Sequence, residues 1–276
     1  MEEKNKKSYY FIKELLQLDL VKALELYDDQ GVKVSTHTYD VLNLSIEEIE
    51  RQYKTLENAS KKLDFFAITV GVIIHDISKA SIREQEENLS HSQMMIKNPD
   101  YILKEVEEVL KEVEEKTGFY LKKTIKKRIS HIVISHHGRW GKIQPSTKEA
   151  CIVYKGDMYS AKYHRINPIG ADSILAYIDK GYSLEEICQR LNCTPGVIKD
   201  RLKRSRNELK LSTIGQLIHY YQKNKKVPLG DEFFVLRVEE TKKLKQLVDK
   251  QGFQELILQN PLIPYFEDEA IFKEKK

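Results

Sequence analysis

Gly71-Val72-Ile73-Ile74-His75-Asp76-Ile77-Ser78-Lys79 sets an imidazole and a carboxylate side by side at the end of an apolar run. Burying a carboxylate beside a histidine is costly unless a cation or a full set of hydrogen bonds compensates, so the pair points to a metal site rather than to packing. Working outward, Leu63 to Ile77 is apolar nearly all round apart from Asp64 and Thr69, which predicts a central buried helix with His75 and Asp76 at its C-terminal end. Further donors stand at intervals along the chain. They are His37, His91, the block His131-Ile132-Val133-Ile134-Ser135-His136-His137-Gly138, and Asp157 within Tyr154-Lys155-Gly156-Asp157-Met158.

Helical spacing of apolar residues recurs on both sides of this core. It predicts helices from Tyr9 to Leu26, from an N-cap at Ser35 through His37 to about Glu57, from Pro99 to Lys116, and from Leu121 to His136. Pro145 is expected to open the helix that carries Asp157. The turn Asn167-Pro168-Ile169-Gly170 marks a boundary, which gives a first domain of 1–169. From 170 to 211 the pattern changes to a helix holding Ile174 and Leu175, then Gly181 to Leu191, a tight turn at Asn192-Cys193-Thr194-Pro195, and a basic helix to Leu209. Two short helices joined in this way form a helix-turn-helix signature. Residues 212–276 read as a C-terminal helical extension, with Phe233-Phe234-Val235-Leu236 as either strand or helix. The fold class is all-α.

Length and composition bound what the chain can be. With 276 residues of which 41% are hydrophobic, it can bury a real core and is not disordered. No stretch approaches the roughly 18 apolar residues of a membrane span, and no signal-peptide core follows Met1, so a soluble cytoplasmic protein without membrane partners is expected. Cys151, Cys188 and Cys193 make no disulfide framework and read as small buried hydrophobes. The net charge of +4 is unevenly spread. Lys122, Lys123, Lys126, Lys127, Arg128, Arg139 and Lys142 surround the histidine block, and Arg190, Lys199, Arg201, Lys203, Arg204, Arg206 and Lys210 crowd a second segment, that of the helix-turn-helix. Clusters of this kind mark polyanion contact or solvated helix faces.

The ordered series of a histidine, His-Asp, further histidines and a late aspartate resembles the HD-domain metal-dependent phosphohydrolase superfamily, over roughly residues 33 to 163. Within it, Ile134-Ser135-His136-His137-Gly138, Pro145, Glu149-Ala150, and Asp157 with Ala161 look most like the HD module of bacterial 3'-to-5' exoribonucleases of the YhaM type. A similar histidine and aspartate series occurs in the HD-GYP phosphodiesterases, without their Gly-Tyr-Pro signature here. The resemblance implies an HD helical bundle in which His37, His75, Asp76 and Asp157 hold one ion. If a second is present, Asp76 bridges the two and His91, His136 and His137 complete its set. Adjacent side chains diverge by about 100° on a helix, so His136 and His137 share an ion only where the helix is ending, as Gly138 suggests.

Imidazole and carboxylate donors suit manganese, iron, nickel, cobalt or zinc, one or two ions, and tolerate magnesium. Paired ions activate water for attack on phosphorus, so phosphoester hydrolysis is the reaction implied. Asp76, Lys79 and His131 are the candidates for direct chemistry, Lys79 as a phosphate contact or a solvated helix-end lysine, His131 as a group behind the ligands or on substrate. Ser78 stands where the family often has glycine. Arg139 is placed to grip phosphate and Trp140 to stack a base or to pack. The 170–211 segment resembles region four of bacterial sigma factors, which implies contact with DNA or RNA through Lys199, Arg201, Lys203, Arg204 and Arg206. The leading reading is a phosphodiesterase or nuclease acting on nucleic acid or oligonucleotides. The alternatives are a small-nucleotide phosphohydrolase, and a DNA-binding regulator or relaxase-like protein whose HD bundle senses or is structural.

Overall fold

A computed structural model describes residues 5–81, 91–166, 169–191, 193–227 and 232–273. Asn167 and Pro168 of the expected boundary turn, and Asn192 of the expected inter-helix turn, lie outside them. The described residues are predominantly helical, with one two-residue hairpin pairing Asp28–Asp29 with Val32–Lys33 through Gln30 and Gly31. Two compact units are present. One spans Met1–Lys162 and Lys243–Lys276, the other Tyr163–Lys242, so the 212–276 extension expected from sequence is divided between them.

The first unit is organised around the helix Phe65–Ile74, whose ten residues are all buried. Asp64 starts it with one oxygen on the Ala67 N–H at 2.9 Å, a cap of about 1 kcal/mol, and pairs its other oxygen with Arg128 at 2.6 Å. That second contact ties the central helix to Lys123–Ser135, its most extensive neighbour. Around this pair stand Lys6–Gln17, Val34–Tyr53, Pro99–Thr117 and Lys148–Tyr163. Pro99–Thr117 ends at Gly118 in the left-handed conformation, close to the predicted bounds. Two starts differ from the sequence reading. The His37 helix begins at Val34 after Lys33, leaving Ser35 buried in its first turn, and the Asp157 helix begins at Lys148 rather than Pro145.

Residues near the C-terminus close this unit over the N-terminal helix. Asp268 accepts from the Lys7 and Ser8 backbone N–H groups at 2.7 and 2.9 Å, filling the positive end of Lys6–Gln17, while Phe253, Leu256, Leu262, Phe266 and Phe272 join the core. In the second unit, Ala171–Asp179, Leu184–Arg190, Pro195–Glu208 and Ile214–Asn224 surround a core of Ile174, Leu175, Ile187, Ile198, Leu202 and Leu217. Ser183 and Glu186 form a capping box at Leu184, as do Thr213 and Gln216 at Ile214. Phe233 to Leu236 fall within the helix Glu232–Gln251, which settles the strand-or-helix alternative. The three cysteines are half-buried and unpaired rather than fully buried. No helix among the described residues is long and apolar enough to cross a membrane.

Candidate metal centre

Five helices and the loop ends between them bring the widely spaced donors together inside the first unit. His37 comes from the first turn of Val34–Tyr53. His75 and Asp76 follow directly on Phe65–Ile74, His91 opens His91–Lys97, and His136 and His137 leave the end of Lys123–Ser135. His37, His75 and Asp76 each offer an atom within 4.8 Å of the others, and Asp76, His91, His136 and His137 do the same. Asp76 belongs to both groups.

Its two oxygens face different ways. Oδ2 lies 3.5 Å from His37 Nε2 and 3.4 Å from His75 Nε2. Oδ1 lies 3.2 Å from His91 Nε2 and 3.8 Å from His136 Nε2. Asp157, from Lys148–Tyr163, adds its Oδ1 to the first group at 3.1 Å from His37 and 3.8 Å from His75. Ligand atoms that share one ion at about 2.0–2.2 Å stand about 3.0–3.5 Å apart, so most of these spacings suit a common cation.

The hydrogen bonds behind the rings decide what the inward nitrogens are. His75 Nδ1 donates to the Val72 carbonyl at 2.7 Å, and His136 Nδ1 to the Val133 carbonyl at 2.5 Å. A carbonyl only accepts, so in the neutral ring both Nε2 atoms are bare lone pairs. His75 Nε2 nevertheless sits 3.4 Å from His37 Nε2, and His136 Nε2 3.4 Å from His91 Nε2. Bare nitrogens and two buried carboxylates crowded in this way fit a divalent cation. Among the described residues, Lys79, 2.6 Å from Asp76 Oδ2, is the one fixed positive charge bonded to the cluster.

Electrostatics keep the donors in ligating form. Burial pushes Asp76 up, but Lys79, His75, His91 and His37 together outweigh it and hold the carboxyl well below its ordinary value. Asp157 is likewise lowered against its burial, chiefly by the His37 hydrogen bond. Burial drives His91 well down, takes His136 to about 3 with help from His137, and lowers His137. Imidazoles shifted down are neutral at pH 7, the form a metal requires.

Helix termination explains how adjacent histidines serve one group. His136 is the C-cap of its helix, His137 follows in a turn, and Gly138 adopts φ +50°. The rings of His136 and His137 are 4.4 Å apart, and that of His137 is 4.9 Å from His91. A Cβ on Gly138 would fall 2.2 Å from Cε2 of Tyr154. Gly138→Ala is therefore expected to cost about 3 kcal/mol from left-handed strain plus overpacking, read as a drop in the denaturation midpoint.

Other candidates lie apart from the donor groups. His131 Nε2 accepts from the Ser146 backbone N–H at 3.0 Å, and burial lowers its basicity. That contact ties His131 to the following loop. Arg139 and Trp140 are exposed, with the guanidinium 4.8 Å over the indole ring. Much of the first basic cluster is engaged elsewhere: Lys126 with Glu114, Arg128 with Asp64, and Lys122 with the Glu269 carbonyl. In the second cluster Lys199 and Lys203 are exposed and Arg204 pairs with Asp200 at 2.8 Å. Arg201, 8% exposed, lies on the inward face with Ile198 and Leu202. Two groups went unnoticed as participants in the sequence reading. Ser160 Oγ meets His37 Nδ1 at 2.8 Å, and Ser78 Oγ meets His91 Nδ1 at 2.5 Å. Ser160 lies three residues past Asp157, one helical step on the same face, which is a signal the spacing carries.

Residues 34–162 match the family described as the HD domain, a span that begins at the helix of His37 and ends in that of Asp157. No curated protein and no solved structure gives a match to the chain. HD domains bind divalent metals, and members of the family are generally metal-dependent hydrolases.

Proposed function

We propose that the HD domain at residues 34–162 is a metal-dependent phosphohydrolase centre that cleaves phosphodiesters in nucleic acid or oligonucleotides. The observation that carries the hydrolase reading is the division of the Asp76 oxygens between two sets of imidazole nitrogens, an arrangement suited to a carboxylate shared by two ions. His37, His75, Asp76 and Asp157 would hold one ion, and Asp76, His91, His136 and His137 the other, with manganese, iron, nickel, cobalt or zinc favoured by the donors. Bound there, such ions supply Lewis acidity toward a phosphoryl oxygen and make water nucleophilic at neutral pH.

The chain's own residues do the rest. Lys79 reaches Asp76 from a position partly open to solvent, where its ammonium also meets a non-bridging phosphate oxygen. The exposed Arg139–Trp140 pair, just beyond His137, offers a cation for phosphate and a ring face for a base. These two residues, together with the resemblance of Ile134-Ser135-His136-His137-Gly138 to exoribonuclease modules, favour an oligonucleotide over a mononucleotide. The second unit is read as a helix-turn-helix that holds DNA or RNA through the exposed Lys199 and Lys203, with Arg204 and Arg206 beside them.

The test is a turnover screen of the metal-loaded protein with short DNA, short RNA, bis(p-nitrophenyl) phosphate and mononucleotides. Oligonucleotides are expected to be the better substrates. Trp140→Ala should raise KM for them about 5–30-fold, the loss of one base stack, while leaving bis(p-nitrophenyl) phosphate unchanged. Preference for mononucleotides would replace this reading with a small-nucleotide phosphohydrolase. Tight DNA binding with no turnover of any substrate would leave a regulator.

A further inference from the structure

We propose that Ser78 and Ser160 are positioning residues that set the tautomer and aim of His91 and His37, one in each donor group; the inference rests on the metal-centre reading above. Each group pairs two kinds of histidine. His75 and His136 are anchored by backbone carbonyls, Val72 and Val133, which fix a proton on Nδ1 in the neutral ring. His37 and His91 are anchored by hydroxyls, Ser160 at 2.8 Å and Ser78 at 2.5 Å. Both serines are buried, at 0% and 1% exposure, so bulk water does not take their place.

A hydroxyl differs from a carbonyl in that it both donates and accepts. With a cation in place, the serine oxygen accepts from Nδ1–H and Nε2 is free to ligate. Without one, two bare Nε2 atoms 3.4 Å apart would repel within each pair. The serine then turns to donate its proton to Nδ1, and Nε2–H of the same ring meets a carboxylate oxygen, Asp157 Oδ1 at 3.1 Å for His37 and Asp76 Oδ1 at 3.2 Å for His91, beside its carbonyl-anchored neighbour. The ring keeps one proton throughout. On ion uptake Nε2 releases a proton to solvent, Nδ1 gains one from solvent, and the hydroxyl rotates from donor to acceptor. Each group thus holds one ligand that is preset and one that adapts, which lets a buried centre stay satisfied with or without its ion.

The experiment is a titration of the metal-free full chain with Mn(II), in wild type, Ser78→Ala, Ser160→Ala and the two Ser→Thr variants. Stoichiometry and affinity are read together with the histidine ring nitrogen spectra, which report tautomers. Ser78→Ala should weaken the ion held with His91 and His136 by about 10–100-fold and leave the other in place. Ser160→Ala should do the converse. Threonine at either position should restore affinity, and the His91 tautomer should change in Ser78→Ala while that of His136 does not. Wild-type affinities in both alanine variants would overturn the inference, as would unchanged ring spectra in variants that lose affinity only by unfolding. A wild-type chain that takes up no ion would instead overturn the metal-centre reading on which it rests.

Discussion

Asp76→Ala is expected to release the bound ions and to lower phosphodiester turnover by about a thousandfold or more, ~4 kcal/mol on the barrier. No other described side chain is shared by both donor groups, since Oδ2 serves His37 and His75 while Oδ1 serves His91 and His136. Removing the carboxylate leaves the first group with two imidazoles and Asp157, and the second with three neutral imidazoles and no anion. It also strips Lys79 of the carboxylate 2.6 Å from its ammonium. A compensating shift is hard to arrange, because Asp76 is buried and the backbone of the preceding helix is packed on all sides. Metal content by elemental analysis and turnover of bis(p-nitrophenyl) phosphate check the two halves of the expectation. Asp76→Asn, which keeps the shape and one acceptor oxygen, should fall between wild type and alanine. Wild-type turnover in Asp76→Ala would discard the catalytic assignment.

What the chain discloses before folding, and what it withholds, divides along sequence distance. The helix Phe65–Ile74 was legible because its signal is local: ten consecutive residues with almost no polar interruption and a carboxylate ready to cap them. The convergence of His37, His91 and Asp157 on His75-Asp76 was legible only through the family resemblance, as no local pattern says which face of a distant helix turns inward. The partners of charged residues are hidden for the same reason. Lys126 and Arg128 look like surface cations in a run without acidic neighbours, yet their partners, Glu114 and Asp64, arrive from other helices. Arg201 sits among exposed lysines in sequence but shares its helix face with Ile198 and Leu202. The return of residues near 253–273 to the first unit, where Asp268 caps the N-terminal helix, depends on a contact across about 260 positions and leaves no trace in periodicity. Ser78 shows the same limit at the centre itself: its place in the run marks only a departure from the family's glycine, whereas its hydroxyl lies against His91 Nδ1.

Gly156→Leu is the substitution outside the ligands with the largest expected effect on the centre. The helices Val34–Tyr53 and Lys148–Tyr163 pack closely at Gly156, where an added Cβ would lie 3.1 Å from the Val41 carbonyl oxygen and 3.3 Å from the Ser45 backbone nitrogen. Those neighbours are main chain within a regular helix and cannot rotate away, unlike a side-chain tip. A leucine therefore has to push the helices apart. The hydrogen bonds that suffer are next in line, since Asp157 reaches His37 at 3.1 Å and Ser160 reaches it at 2.8 Å across the same contact. Overpacking of this kind costs about 1–3 kcal/mol, and pulling Asp157 and Ser160 away from the buried His37 ring adds to that, so a loss of ~3 kcal/mol in the unfolding free energy is expected. The ion of the His37, His75 and Asp157 group should be released while that of the His91, His136 and His137 group is retained, because the latter hangs on different helices. Chemical denaturation of the metal-free chain measures the first effect and Mn(II) stoichiometry the second. A leucine variant with the wild-type denaturation midpoint and full metal content would show that the contact has room to spare, and that the close approach of these two helices does not set the distance between His37 and Asp157.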